Sequence, residues 1–144
     1  MRQALNQAQI AYNKDEAPIG AVIVRNGKII ARAYNKREIT QSATAHAEIL
    51  AIEKACKKLC LWRLTGCDIY VTLEPCPMCM GAIINARLSN LYYGADDPKA
   101  GSCGSIVNLN DYPYNHKVTI YQGIMQAECT SLLTAFFQKL RKRM

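Results

Sequence analysis

The stretch Asp68-Ile69-Tyr70-Val71-Thr72-Leu73-Glu74-Pro75-Cys76-Pro77-Met78-Cys79-Met80 decides how the rest of the chain is read. Its first six residues are rich in β-formers and read as a strand. The apolar run at 80–84 reads as a helix, and proline suits a first helical turn, where its missing N–H costs nothing. Cys76 and Cys79 therefore stand at a strand-to-helix junction, at the helix N-terminus. Free N–H groups and the helix dipole there favour thiolate over thiol. The i, i+3 spacing puts both sulfurs on one face, where they can share a metal. A C-x-x-C pair alone also marks redox pairs and structural knuckles.

A second signal lies upstream, at Thr44-Ala45-His46-Ala47-Glu48. One imidazole and two thiolates make three ligands, which leaves a tetrahedral Zn²⁺ one position for water. That is the composition of a catalytic site rather than a closed structural one. His46 and Glu48 lie roughly 200° apart around a helix, since each residue turns about 100°. They cannot both face a ligand lying beside the helix, but both can reach one beyond its N-terminus. The spacing thus predicts a helix that starts within a residue or two of His46 and aims its N-terminus at the metal. The cysteine helix should do the same from the other side.

The bulk composition agrees with such a site. A chain of 144 residues, half of them hydrophobic, is long enough to bury a real core in one domain spanning residues 1–144. No run of about 18 apolar residues occurs, so no membrane span is expected. The N-terminus does not read as a signal peptide. Seven cysteines at irregular spacing argue against a secreted disulfide framework and for a reducing, cytoplasmic setting. Eighteen Lys and Arg against eleven Asp and Glu give a net charge of +7, which suits a polyanionic partner.

Taken in order, residues 2–14 place Leu5, Ala8, Ala11 and Tyr12 at helical spacing, and 15–18 end that helix. Residues 20–25 and 28–34 read as strands joined by Asn26-Gly27, a strong hairpin signal. Residues 35–43 read as a polar loop, after which Ser42 or Thr44 caps a helix carrying Ile49, Ile52, Ala55, Cys56 and Leu59 on one side. A strand at 68–73, a helix at 76–87 and a strand at 90–93 follow. Residues 94–115 are loop-rich, with a short helical turn expected near Ile106-Val107. A strand at 118–122 and a helix at 125–141 complete the chain. Strands bracketing the cysteine helix predict a parallel crossover. The expected fold is α/β: a three-layer α/β/α sandwich with a central five-stranded mixed sheet.

The His/Cys/Cys set, with a non-ligand glutamate two residues after the histidine, resembles the zinc-dependent nucleobase deaminases of the cytidine/deoxycytidylate deaminase superfamily. The resemblance extends to bacterial tRNA-specific adenosine deaminases over the whole chain. It runs through Ala17-Pro18-Ile19-Gly20-Ala21-Val22, Tyr34-Asn35, the His46 and Cys76 motifs and Trp62-Arg63-Leu64. It continues through Gly94-Ala95-Asp96-Asp97-Pro98-Lys99-Ala100-Gly101, Asn115-His116, Glu128-Cys129, Phe136-Phe137 and the basic C-terminus. The resemblance implies a cytidine deaminase-like fold and one Zn²⁺ per chain on His46, Cys76 and Cys79. It implies hydrolysis of wobble adenosine to inosine in a tRNA anticodon stem-loop, by zinc-activated water attacking C6 with Glu48 as proton shuttle. It further implies a homodimer, contacted in the region of residues 80–87. Asn35 would bond the flipped nucleotide, Asp97 and Lys99 would meet the anticodon loop, and Phe137 with Arg141 would meet RNA.

The chain departs from the family at Asn35-Lys36 and at Ser42-Ala43-Thr44, which bears on loop contacts and not on the chemistry. A deaminase of free guanine, cytosine or a nucleoside would share the zinc motifs but would not need the Asp97-Pro98-Lys99 loop or the basic tail. A non-catalytic zinc module binding RNA would need no Glu48. Cys56, Cys60, Cys67, Cys103 and Cys129 are expected to be inert thiols, and His116 a structural hydrogen-bonding residue. Of Phe136 and Phe137, at least one should be core. Lys139, Arg141, Lys142 and Arg143 are expected to touch RNA rather than merely solvate a helix end.

Overall fold

The computed structural model of the protein describes residues 1–143. In chain order the elements are α1 (Arg2–Asn13), β1 (Gly20–Arg25), β2 (Lys28–Tyr34), α2 (Arg37–Thr40), α3 (Ala47–Leu59) and β3 (Cys67–Leu73). There follow α4 (Pro77–Asn85), β4 (Asn90–Ala95), a 3₁₀ turn at Leu109–Asp111, β5 (Thr119–Tyr121) and α5 (Gln126–Lys142). The five strands form one sheet in the order β2-β1-β3-β4-β5. β1 is antiparallel to both β2 and β3, while β3, β4 and β5 run parallel. This is the expected mixed sheet.

Asn26 and Gly27 both take positive φ, 52° and 75°, as a two-residue hairpin between β1 and β2 requires. Alternation along the strands divides the sheet into two faces. Ala21, Ile23, Ala33, Ile69, Val71, Leu91 and Tyr93 pack with Ala47, Ala51, Ile52 and Ala55 of α3 and Met80, Ile83 and Ile84 of α4. The opposite face is covered by α1, through Ala4, Ala8 and Ala11, and by α5, through Cys129 and Phe136. At 4% exposure Phe136 is core, edge-on to Tyr12, while Phe137 is 46% exposed.

Local readings and structure differ in four places. Residues 37–40 are helical instead of loop, because the buried carboxylate of Glu16 accepts hydrogen bonds from the amides of Glu38 (3.0 Å) and Ile39 (2.6 Å). That cap comes from 22 residues upstream, beyond the reach of a local pattern. Neither Ser42 nor Thr44 caps α3. Their hydroxyls lie 3.3 Å from one another, and the N-cap position belongs to His46, which makes no side-chain capping bond. The turn expected at Ile106-Val107 forms instead at Leu109–Asp111, where Asn108 Oδ1 accepts from the Asn110 amide. Finally, α4 ends at Asn85, before the expected 87, because Arg87 takes a left-handed conformation (φ 62°).

Candidate active site

β3 and β1 deliver the site to one end of the sheet, where the N-termini of α3 and α4 meet. His46 is the N-cap residue of α3 and Cys76 that of α4; Cys79 lies in the first turn of α4. Neither cap residue bonds its own helix through its side chain. The side chains point at each other: His46 Nδ1 lies 3.6 Å from Cys76 Sγ and 3.4 Å from Cys79 Sγ. All three ligand atoms lie within 4.8 Å of one another. A tetrahedral zinc with Zn–S about 2.3 Å and Zn–N about 2.0 Å places nitrogen and sulfur about 3.5 Å apart. The donor set and its spacing thus fit zinc. Among the described residues this is the one His/Cys/Asp/Glu cluster able to hold a metal, so Cys56, Cys60 and Cys67 form no second site.

The electrostatics suit a cation. The hydrogen bond from Cys79, with a second from His46, draws the Cys76 thiol down to about 4. His46 is pushed up chiefly by its bond with Cys76. Cys79 is held protonated, first by sharing that proton with Cys76 and then by burial. A divalent cation bound here would take the place of the protons these three groups share. Glu48, in the first turn of α3, is 4% exposed, and burial raises its carboxyl to about 7. A buried acid poised near neutrality both accepts and returns a proton.

A cavity of about 180 Å³ opens over His46, Glu48 and Cys76, with Ile19, Leu73, Arg37 and Asp97 on its walls. Asn35 is 5% exposed, and its Oδ1 accepts from the Arg37 amide (3.4 Å), leaving its amide group for other use. Asp97 lines the cavity while its Oδ1 accepts from the amides of Lys99 and Ala100, so part of this carboxylate shapes its own turn. Lys99 and Phe137 line an adjoining cavity of about 360 Å³, and Phe137 also lines a larger one of about 460 Å³ beside Asn35 and Arg37. Arg141 lies further out on α5, exposed beside Lys142. The tail is not uniformly free: Lys139 and Arg143 each lie 3.1 Å from Asp15, and Arg143 also borders the 460 Å³ cavity. His116 is structural, its Nε2 2.7 Å from the Leu88 carbonyl.

Two residues were not singled out by sequence. Arg37 is the one lysine or arginine lining the innermost cavity. Glu74 is fully buried and accepts from the amides of Asp97 (3.0 Å), Cys103 (3.0 Å) and Ser105 (3.1 Å), and from the Ser105 hydroxyl. Burial would raise its carboxyl, but these bonds outweigh that and lower it. A Cβ on Gly101 would overlap the Glu74 carboxylate, so only glycine fits there. A carboxylate lodged beside Pro75 and a glycine-bearing loop 27 residues on were the available signals.

A family described as MafB19-like deaminase matches residues 1–141. The tRNA-specific adenosine deaminase of Bacillus subtilis (strain 168) is 49% identical over 144 residues, covering 99% of this chain and 89% of that protein. That of Rickettsia bellii (strain RML369-C) is 46% identical, covering 98% and 99%. A structure solved in studies of A-to-I editing by tRNA:A34 deaminases superposes with a TM-score of 0.90 at 46% identity, over 92% of this chain and 97% of that one. Identity of this order along nearly the full length of both partners carries the conclusion that the chain belongs to the MafB19-like deaminase family, among the tRNA-specific adenosine deaminases.

Proposed function

We propose that the protein hydrolyses adenosine to inosine at the wobble position of a tRNA anticodon, with one Zn²⁺ per chain on His46, Cys76 and Cys79. The observation that carries this reading is the convergence of those three ligand atoms beside buried Glu48, in a cavity sized for one base. A zinc ion there would supply a Lewis acid that makes water nucleophilic near neutral pH. Glu48 takes the water's proton, passes it to the ring nitrogen of the adenine, and assists departure of ammonia. Asn35 holds the flipped nucleotide through its free amide, and Ile19 and Leu73 enclose the base and exclude bulk water. Asp97 and Lys99 contact the loop nucleotides on one side, Phe137 stacks on a neighbouring base, and Arg141 meets backbone phosphate.

A small base pocket alone would serve a free-base deaminase equally well. The two larger cavities that adjoin it, divided by an exposed phenylalanine, are what a loop of RNA would fill and a free base would not. Charge supports the same substrate, since the chain carries +7. Among the described residues no helix is long and apolar enough to cross a membrane, in keeping with a cytoplasmic tRNA-modifying enzyme. The homodimer would form on the outer face of α4. There Gly81, Ile84 and Asn85 line a cleft with Leu109 and Tyr114, and Ile106 and Tyr112 are exposed.

The test is to incubate the protein with total tRNA and sequence each anticodon for adenosine read as guanosine, with ammonia release from free adenine, guanine and cytosine run alongside. Conversion confined to position one of an anticodon is the expected result. Turnover of a free base without tRNA conversion would replace this reading with the free-base one.

A further inference from the structure

Asp15 and Glu16 are adjacent carboxylates with opposite surroundings. Glu16 is fully buried and holds α2 by its Glu38 and Ile39 amides. Asp15, in a left-handed conformation at φ 61°, points outward and holds the end of α5, 3.1 Å from both Lys139 and Arg143. Lys139 also lies 4.4 Å from the Tyr12 ring, so the end of α1 grips α5 at two points. α2 and α5 are the two walls of the 460 Å³ cavity beside the base pocket: Asn35 and Arg37 stand on one side, Phe137 on the other. Asp15 itself titrates low because Lys139 and then Arg143 hydrogen-bond it, so the outer contact is charged at neutral pH.

We propose that the Asp15-Glu16 pair is a positioning device that sets the width of the groove flanking the base pocket, Glu16 fixing the α2 wall from inside and Asp15 the α5 wall from outside. The groove so gauged takes a nucleotide next to the target, an inference that rests on the tRNA reading above. Both carboxylates border the groove itself, with Ala17, but neither lines the base pocket that holds His46, Glu48 and Cys76. Their effect is on binding of the larger RNA and not on the proton transfers. Glu16→Gln exchanges an acceptor for a donor facing a second donor, which releases one of the two α2 amides. Asp15→Asn removes the charge that draws Lys139 and Arg143 inward. Exposed pairs of this kind contribute little to global stability, so the fold should survive.

The experiment compares wild type, Asp15→Asn, Glu16→Gln and Phe137→Ala, each loaded with zinc, on an anticodon stem-loop RNA. Amide exchange is measured on the same proteins without RNA. Asp15→Asn should raise KM about threefold to tenfold with kcat within twofold of wild type, and speed exchange in the last turns of α5. Glu16→Gln should speed exchange at Glu38 and Ile39 and raise KM by a similar or larger factor. If Asp15 acts by placing Phe137, the double variant Asp15→Asn/Phe137→Ala will show a KM no higher than Phe137→Ala alone. Unchanged KM in both carboxylate variants overturns the inference, as does a KM that falls in Asp15→Asn, which would make Asp15 a competitor of phosphate. A kcat that falls with KM unchanged also overturns it. Wild type inactive on the RNA would instead sink the tRNA reading, and the exchange data would still decide whether the pair holds the two walls.

Discussion

At the scale of single residues, the proposed mechanism divides labour between groups that touch the substrate and groups that hold those in place. Glu48 belongs to the first kind. Replacing it with glutamine keeps the shape and removes the titration, so Glu48→Gln should retain zinc, fold and RNA affinity. General acid–base catalysis is worth on the order of 10²–10⁴-fold, and one carboxylate here serves several transfers, so kcat should drop by at least the upper figure. Near-normal turnover would mean that the proton travels by another route, and a zinc-free variant would make Glu48 a ligand. Cys129 shows a different use of burial. It is 1% exposed under α5, and burial, with Glu128 adding, raises its thiol to about 11. A thiol whose folded pKa lies above its unfolded value gives stability that is complete below the unfolded value and lost as pH climbs through the folded one. Thermal stability should therefore fall between pH 9 and 11, by at most about 2–3 kcal/mol from this group. Melting curves at pH 8 and pH 10.5 should show a smaller decline for Cys129→Ala than for wild type. An equal decline would assign the loss to other groups.

The residues proposed as ligands and proton shuttle could be picked out in the sequence because metal chemistry admits few side chains at few spacings, and the three candidate ligand atoms do converge. Glu16 and Glu74 were not, since each does its work by accepting backbone amides from a segment 22 to 31 residues away. No side-chain type on the receiving end marks such a contact.

At the scale of elements, α3 and α4 begin at two of the proposed ligands. His46 and Cys76 occupy positions usually filled by capping residues, and neither caps. A metal between them would tie down two helix starts that the protein leaves unfastened. Cys76→Ala and Cys79→Ala should each lose zinc and melt earlier than wild type, whereas Cys56→Ala should keep one zinc per chain. Metal analysis showing full occupancy in either of the first two would undo the ligand assignment. On α5 the basic residues separate by partner. Lys139 and Arg143 are committed to Asp15, while among the described residues Arg141 and Lys142 form no ion pair. Arg141→Ala with Lys142→Ala should raise KM for tRNA and flatten its salt dependence by about 1.4 in log-log slope, at about 0.7 per single-strand phosphate contact. Its kcat should hold. A salt slope identical to wild type would make these two residues a solvated helix end. The periodicity of α5 was readable from sequence, and so was one phenylalanine being core. Which cations it spends on α1 depends on a tertiary contact to Asp15, 128 residues away.

At the scale of the whole molecule, the mixed sheet and its two helical layers followed from patterns that act locally. These were alternation in the strands, Asn-Gly in the hairpin, and a strand-helix-strand unit that forces β3 and β4 parallel. The helix that no local pattern announced, α2, formed where a distant group intervened, the carboxylate of Glu16. The cavity system is the opposite case. It is bounded by α2, the segment after β4 and α5, three parts of the chain whose meeting no local pattern announces.

The sheet's order also carries a consequence in time. A ribosome releases residues in sequence, at roughly 5–20 per second. α1, the hairpin and His46 emerge first, the cysteines follow 30 residues later, and α5 comes last. Both metal-binding helices can thus be laid down while Phe137 and Arg141 are still inside the ribosome. For some seconds the nascent protein would hold the proposed ligands without the α5 residues proposed to meet RNA. On the proposed roles, premature termination near residue 125 would remove Phe137 and Arg141 while leaving His46, Cys76 and Cys79 in the chain.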